Sequence, residues 1–192
     1  MLYRFNFFQK VVLLIIFYSI IFTISFYLFK YSLEVNDSFQ IILINFIQTW
    51  DLMLVGFLFF QAFKYVRMPS KFYIKKNYES KNYFKYLGVN IFRLFLINSF
   101  FRHLNKRVYL KGRPKEYIFT YIEETKQSET SHILSGIFPL SIQLLYLKYG
   151  LIEHFISLTI FNILLNLYPF FLQRMNRFKM IEKYPNMLKN EV

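Results

Sequence analysis

Val11-Val12-Leu13-Leu14-Ile15-Ile16-Phe17-Tyr18-Ser19-Ile20-Ile21-Phe22-Thr23-Ile24-Ser25-Phe26-Tyr27-Leu28-Phe29 carries no charge, and its only polar side chains are Tyr, Ser and Thr. At about 1.5 Å per helical residue the run reaches roughly 28 Å, close to the ~30 Å hydrocarbon core of a bilayer. It is expected to be a transmembrane helix. A secretory signal peptide is the competing reading, but the run is longer than a usual apolar signal segment and no small-x-small cleavage site follows it.

Three more apolar runs lie further along. Ile41 to Phe63 is broken only by Gln48, Trp50, Asp51 and Gln61, while Ile133 to Leu147 and Leu151 to Leu172 are joined by Lys148-Tyr149-Gly150, which has the look of a tight hairpin. The third run is short, so it is expected to begin before His132 or to sit in a locally thinned bilayer. Composition agrees, since 55% hydrophobic residues and 22% aromatics in 192 residues are too apolar for an ordinary soluble domain. The fold class that follows is all-α, a single polytopic membrane domain of four spans at 11–29, 41–63, 133–147 and 151–172.

Charge orients the chain. Of the 24 Lys and Arg, only Lys30 and Lys148 fall in the two outer loops when both termini lie in the cytoplasm, and the inverted topology violates the positive-inside rule. This places the protein in the cell (inner) membrane as a multi-pass protein. The basic region 64–131 then lies on the cytoplasmic side, where it attracts anionic headgroups. Within it, residues 86–101 form an apolar island whose polar members Asn90, Arg93 and Ser99 are too scattered for one polar face. An interfacial or re-entrant helix fits, because an additional full span would put the termini on opposite sides. The basic segment Arg102 to Arg107 after it suits headgroup anchoring, or reception of a carboxylate or phosphate.

The net charge of +13 raises nucleic acid as a partner, and Lys64 to Lys85 does interleave basic residues with tyrosines. No RRM aromatic motif or GXXG loop accompanies them, so no nucleic-acid partner is expected. The absence of Cys excludes disulfides, thiolate catalysis and Cys-ligated metals. The three histidines, His103, His132 and His154, cannot assemble the histidine boxes of membrane desaturases, and none is followed at the fifth position by Asp. No metal site and no cofactor are expected. Walker, Rossmann and nucleophile-elbow patterns are missing as well.

Chemistry-bearing residues concentrate at Glu124-Thr125-Lys126-Gln127-Ser128-Glu129-Thr130-Ser131-His132, just where the third apolar run begins. In a helix Glu129 and His132 share a face, as do Thr125 and Glu129. A neutral imidazole accepts a proton near pH 7, and a neighbouring carboxylate fixes its tautomer and stabilises the cation, so the pair suits a base that activates a hydroxyl. A polar helix start with a snorkelling histidine accounts for the same residues. Asp51, mid-span, needs a proton or a partner such as Asn162 or Asn166, or else leads into a buried polar site. Glu153 and His154 begin the fourth span at the other face, where ordinary interfacial placement explains them.

Taken together, Glu124-Thr125-Lys126, Glu129 and His132, a hydrophobic hairpin, and Asn166-x-x-Pro169-x-x-x-Gln173-Arg174-x-Asn176-Arg177 resemble the glycosyl-4,4′-diaponeurosporenoate acyltransferase family of carotenoid biosynthesis. Arg67-Met68-Pro69 looks like that family's Arg-x-Pro element. The resemblance covers roughly residues 45 to 180, with the first span an addition and Lys71 to Lys115 matching weakly. It implies transfer of a fatty acyl chain onto a sugar hydroxyl of a glycosylated lipid, a glycosyl carotenoid being the family's case. It further implies lipid substrates as partners, His132 as general base, Glu129 as its orienting group, and Asn176, Arg174 or Arg177 on the acyl donor's polar end or the developing oxyanion. Glu124, Thr125, Asn166 and Gln173 join them as substrate-binding residues. For the C-terminal motif, Pro169 kinking a span and Gln173, Arg174 and Arg177 marking its end account for the residues without chemistry. A non-catalytic scaffold or transport subunit, or a different lipid-modifying enzyme on the same fold, remain the rival functions.

Overall fold

The computed structural model describes residues 7–62, 68–99 and 117–188, and the described residues are helical with no strand. Arg67, Phe63, the last two residues of the 86–101 island, and the basic segment Arg102 to Arg107 with His103 lie outside them. Eight helices occur among the described residues: α1 (Phe7–Ser32), α2 (Ser38–Ala62), α3 (Ser70–Tyr73), α4 (Lys81–Tyr86), α5 (Val89–Asn98), α6 (Tyr117–Lys148), α7 (Ile152–Asn162) and α8 (Tyr168–Lys183). A five-residue π turn, Ile163–Leu167, separates α7 from α8.

Four stretches are long and apolar enough to cross a membrane: Val11–Ser32, Ser38–Gly56, Tyr117–Lys148 and Ile152–Lys183. The number agrees with the hydropathy pattern, but the last two are much longer than their apolar runs. The reason is that the polar residues flanking those runs are partnered inside the protein, so helix continues where hydropathy stops. Local signals account for the boundaries. Asp37 caps α2 by accepting from the Gln40 backbone N–H at 2.9 Å, and Ser80 caps α4 by accepting from Tyr83 N at 3.2 Å. At the predicted hairpin, Gly150 adopts φ 70°, and Leu151 N and Gly150 N donate to the carbonyls of Tyr146 and Leu147 at 2.9 and 3.1 Å. That is a Schellman ending, which needs the left-handed conformation glycine adopts without strain. The π turn precedes Pro169, which has no N–H to offer and whose ring would press on the Leu165 carbonyl in regular α geometry.

The chain divides into two compact units. The first contains α1, α2, α6 from Ser131 onward, α7 and the π turn, with α2 packed against both α1 and α7. Gly56 permits close approach, since a Cβ there would stand 2.7 Å from Ser135 Cα. Phe29, Tyr146 and Leu158 form its buried apolar centre. Beside them runs a buried polar network. Ser25 Oγ donates to Asp51 Oδ2 at 2.5 Å, Gln48 Nε2 donates to the Ser25 carbonyl at 3.3 Å, and Tyr146 Oη donates to Gln48 Oε1 at 2.6 Å. Asp51 is therefore satisfied by α1, not by Asn162 or Asn166. His154 also departs from expectation. It is buried with its Nδ1 3.1 Å from Asn45 Nδ2 and its ring centroid 5.0 Å from that of Tyr146, so it belongs to the interior and not to an interface. Inter-helical side-chain hydrogen bonds of this kind hold membrane helices together where no hydrophobic driving force acts between them.

The second unit contains α3, α4, α5, the first part of α6, and α8. Phe84, Val89, Leu172, Met175 and Phe178 make one buried cluster, and Ile118, Tyr121, Ile122, Met180 and Leu188 another. Gly88, at φ 72°, breaks the chain between α4 and α5. Helix α5 occupies most of the expected island and leaves Ile91, Leu94 and Phe95 exposed along one face.

Candidate active site

His132 lies in the first unit, partly buried on α6. The Asn166 side chain, from the π turn, is its polar neighbour. Asn166 is held from behind: its Nδ2 donates to Asn162 Oδ1 at 2.8 Å, and Asn162 Nδ2 in turn donates to the Gly136 carbonyl at 3.0 Å. A side chain at 136 would crowd this ladder, since an added Cβ would meet Asn166 Cβ at 3.3 Å. Asn166 Oδ1 is left without a partner among the described residues although the residue is only 2% exposed. An unpaired buried acceptor is costly in a folded protein, and the donors open to this one are the His132 ring N–H beside it or a hydroxyl that enters the groove. His132 and Asn166 both line a groove of about 320 Å³ whose walls are mostly apolar, among them Ile137, Leu140 and Ile163. Asn166 is thus coupled to Asn162 and, through His132 and Gly136, to α6, the helix that also carries Glu129, and not to Asp51.

The second unit holds the other candidates, and here the structure adds residues that the sequence did not single out. Arg177 Nε and Nη2 donate to Glu129 Oε1 and Oε2 at 2.8 and 3.0 Å, a bidentate pair in which both side chains are 0% exposed. Arg174 makes a second bidentate pair, with Glu79 through Nε and through Nη2 at 3.0 Å. Its remaining donors reach Glu129 Oε2 at 3.2 Å, the Phe72 carbonyl at 2.9 Å and the Ile74 carbonyl at 3.1 Å. All five guanidinium N–H groups of Arg174 are therefore engaged. Arg177 also donates to the Tyr73 carbonyl, and the guanidinium carbons of Arg174 and Arg177 lie 5.1 and 4.8 Å from the Phe178 ring centroid. Two arginines and two glutamates make the cluster neutral, as burial requires.

Its rim includes Tyr73, whose hydroxyl pairs with Thr130 Oγ1 at 2.5 Å and accepts from the Met68 N–H at 3.1 Å. Thr125 is buried, and its hydroxyl is engaged by the Ile122 carbonyl at 2.7 Å. Glu124 accepts from Tyr117 Oη at 3.0 Å. Gln173 and Asn176 are half-buried, three residues apart on α8. The structure therefore brings Glu129, Arg174 and Arg177 together in one cluster and His132 with Asn166 in another. Glu79, Tyr73 and Thr130 are the additions.

A family model described as glycosyl-4,4′-diaponeurosporenoate acyltransferase matches residues 69–184. The chain belongs to this family. The match takes in α3 to α8, hence His132, Asn166 and the whole Glu79–Glu129–Arg174–Arg177 cluster, and it leaves both α1 and α2 outside. Its start at Pro69 lies well after the position near 45 expected from the motifs, so of Arg67-Met68-Pro69 only the proline falls within it. No curated protein and no solved structure matches the chain. The ion-pair cluster thus lies within the segment that matches the glycosyl-4,4′-diaponeurosporenoate acyltransferase family.

Proposed function

We propose that this protein is a membrane acyltransferase that moves a fatty acyl chain onto a sugar hydroxyl of a glycosylated lipid, a glycosyl carotenoid being the acceptor that the family's description suggests. Membership of the family supports acyl transfer. The observation that carries the assignment of residues is the buried Asn166 side chain beside His132 at an apolar groove, its Oδ1 open to the imidazole or to a hydroxyl. A sugar hydroxyl donates to such an acceptor, which holds it next to the imidazole.

In the proposed reaction His132 takes the hydroxyl proton as the sugar oxygen attacks the acyl carbonyl carbon. A new C–O ester bond forms, the bond from the acyl carbon to its leaving group breaks, and the leaving group receives the proton from His132. No redox change occurs, so atoms and electrons balance without a cofactor. Glu129 sits one turn before His132 on α6, and its ion pairs with Arg177 and Arg174 fix that turn. It acts as a positioning residue, as do the two arginines: every N–H of Arg174 has a protein acceptor, and Arg177 is held by Glu129 and the Tyr73 carbonyl. The exposed Ile91, Leu94 and Phe95 on α5, with exposed Lys81 and Lys85 on α4, support an interfacial position for this segment among anionic headgroups. We place it on the cytoplasmic side of the cell membrane with both termini, following the distribution of basic residues.

The test is lipid analysis of cells that supply a glycosyl carotenoid and express either this chain or its His132→Ala form. Acylated glycolipid should appear only with the unaltered chain, while both forms reach the membrane in equal amount. A scaffold or transport subunit would behave alike in both forms, and that result overturns the proposal.

A further inference from the structure

The groove beside His132 has two polar ends and an apolar middle. His132 and Asn166 stand at one end, Gln143 and Thr159 at the other, and Ile133, Ile137, Leu140, Ile163 and Leu167 lie between. At the far end Gln143 Nε2 donates to Thr159 Oγ1 at 2.9 Å, and Thr159 donates onward to the Phe155 carbonyl at 2.7 Å. All of these residues belong to the first unit, on helices long and apolar enough to cross a membrane. We infer that the groove holds the fatty acyl chain and that Gln143 and Thr159 end it, so that Leu140, Gln143 and Thr159 set the acyl length the enzyme accepts.

The inference rests on the acyl-transfer reading and gives it a specificity. An amphiphile with a polar reactive end and an apolar tail matches the order of groups: acyl carbonyl by His132 and Asn166, methylenes along Ile133, Ile137 and Leu140. Along α6 the distance from His132 to Gln143 is roughly 16 Å at about 1.5 Å per residue. With C–C bonds of about 1.52 Å, an extended alkyl chain advances about 1.25 Å per carbon, so the groove takes roughly 13 carbons. A flexible alkyl chain can end or turn at the Gln143–Thr159 pair. A conjugated polyene is rigid and cannot, so the acceptor's chain belongs elsewhere and only its sugar approaches His132. Leu140 is 49% exposed, which leaves room for a larger ring there without disturbing the helix packing.

The full-length protein, purified in detergent, is incubated with a fatty acid of about 12 carbons bearing a terminal photoreactive diazirine, and adducts are mapped by mass spectrometry. Adducts should fall on Leu140, Gln143 and Thr159, should be competed by unlabelled fatty acid, and should drop about tenfold in Leu140→Trp. In cells, L140W should shift the acylated product toward shorter chains while His132 and Asn166 stay intact. Adducts spread equally over the exposed face of α1, or unaffected by L140W, overturn the groove assignment. Competition by a carotenoid but not by fatty acid overturns it in favour of the polyene. If the unaltered chain makes no acylated product, the function fails while the labelling still decides the groove.

Discussion

The sharpest quantitative prediction concerns the pair Glu129–Arg177, because each side chain is wholly buried and each is the main partner of the other. Removing one partner of a buried ion pair costs about 3–5 kcal/mol, since the survivor is left charged without compensation, whereas replacing both with apolar groups is often nearly neutral. The structure ranks the two single changes. Arg177→Met strands Glu129, but Arg174 Nη1 still reaches its Oε2 at 3.2 Å, so the loss belongs at the lower end, about 3 kcal/mol. Glu129→Leu leaves the Arg177 guanidinium with the Tyr73 carbonyl and the faces of Tyr73 and Phe178, and Arg174 loses one acceptor too. Its loss belongs at the upper end, about 5 kcal/mol.

For a chain of this size 1 kcal/mol moves Tm by about 2–4 °C, so the expected falls are roughly 6–12 °C for R177M and 10–20 °C for E129L. The double variant E129L/R177M removes both charges and keeps the Arg174–Glu79 pair. Its cost is the Arg174 hydrogen bond to Glu129, about 1.5 kcal/mol, the lower end for a charged partner because the bond is long at 3.2 Å. Thermal unfolding of the four proteins in one detergent, followed by far-UV circular dichroism, gives the cycle. The double variant should be more stable than either single one, with a coupling of at least 3 kcal/mol, the upper end of what neighbouring residues show. Additive losses, or R177M less stable than E129L, would refute the buried-pair reasoning.

The other predictions are simpler to run. His132→Ala should abolish transfer and cost only about 1 kcal/mol of stability, roughly 2–4 °C in Tm, as is ordinary for a half-buried side chain; retained activity sinks its role as base. Gly56→Ala should destabilise by about 1–3 kcal/mol, because its Cβ would stand 2.7 Å from the Ser135 Cα and backbone cannot yield as a side chain can. Asp51→Asn retains an acceptor for Ser25 Oγ and removes a carboxylate whose charge is costly mid-span, so Tm should hold or rise; a fall of several degrees would mean the charge itself is needed.

The fold was legible because a membrane span announces itself through length and apolarity alone. The Gly150 hairpin and the four spanning helices needed no knowledge of tertiary contacts. What hydropathy misread were the ends of α6 and α8, where buried ion pairs let helix run on through Glu129, Arg174 and Arg177. The same blindness placed His154 at an interface, since its partner Asn45 lies on a different helix, and sequence separation of that kind leaves no local trace.

The site was half legible for a related reason. Glu129, Arg174 and Arg177 drew notice as charged residues in motifs, and their chemistry suggested substrate contacts. Burial changes what those groups do. A guanidinium whose five donors are engaged has none to offer an acyl donor unless the cluster opens, so we propose a positioning role for Arg174 where the sequence suggested binding. Glu79 was invisible because nothing near it in the chain asks for a carboxylate. Yet one signal was present. Arg174 and Arg177 flank Met175 and precede Phe178 on one helix, and two arginines on the same face as buried apolar residues require two acids. Glu129 supplies the first. The second had to come from another element, and the neutrality of a buried cluster is the constraint that would have prompted a search for Glu79.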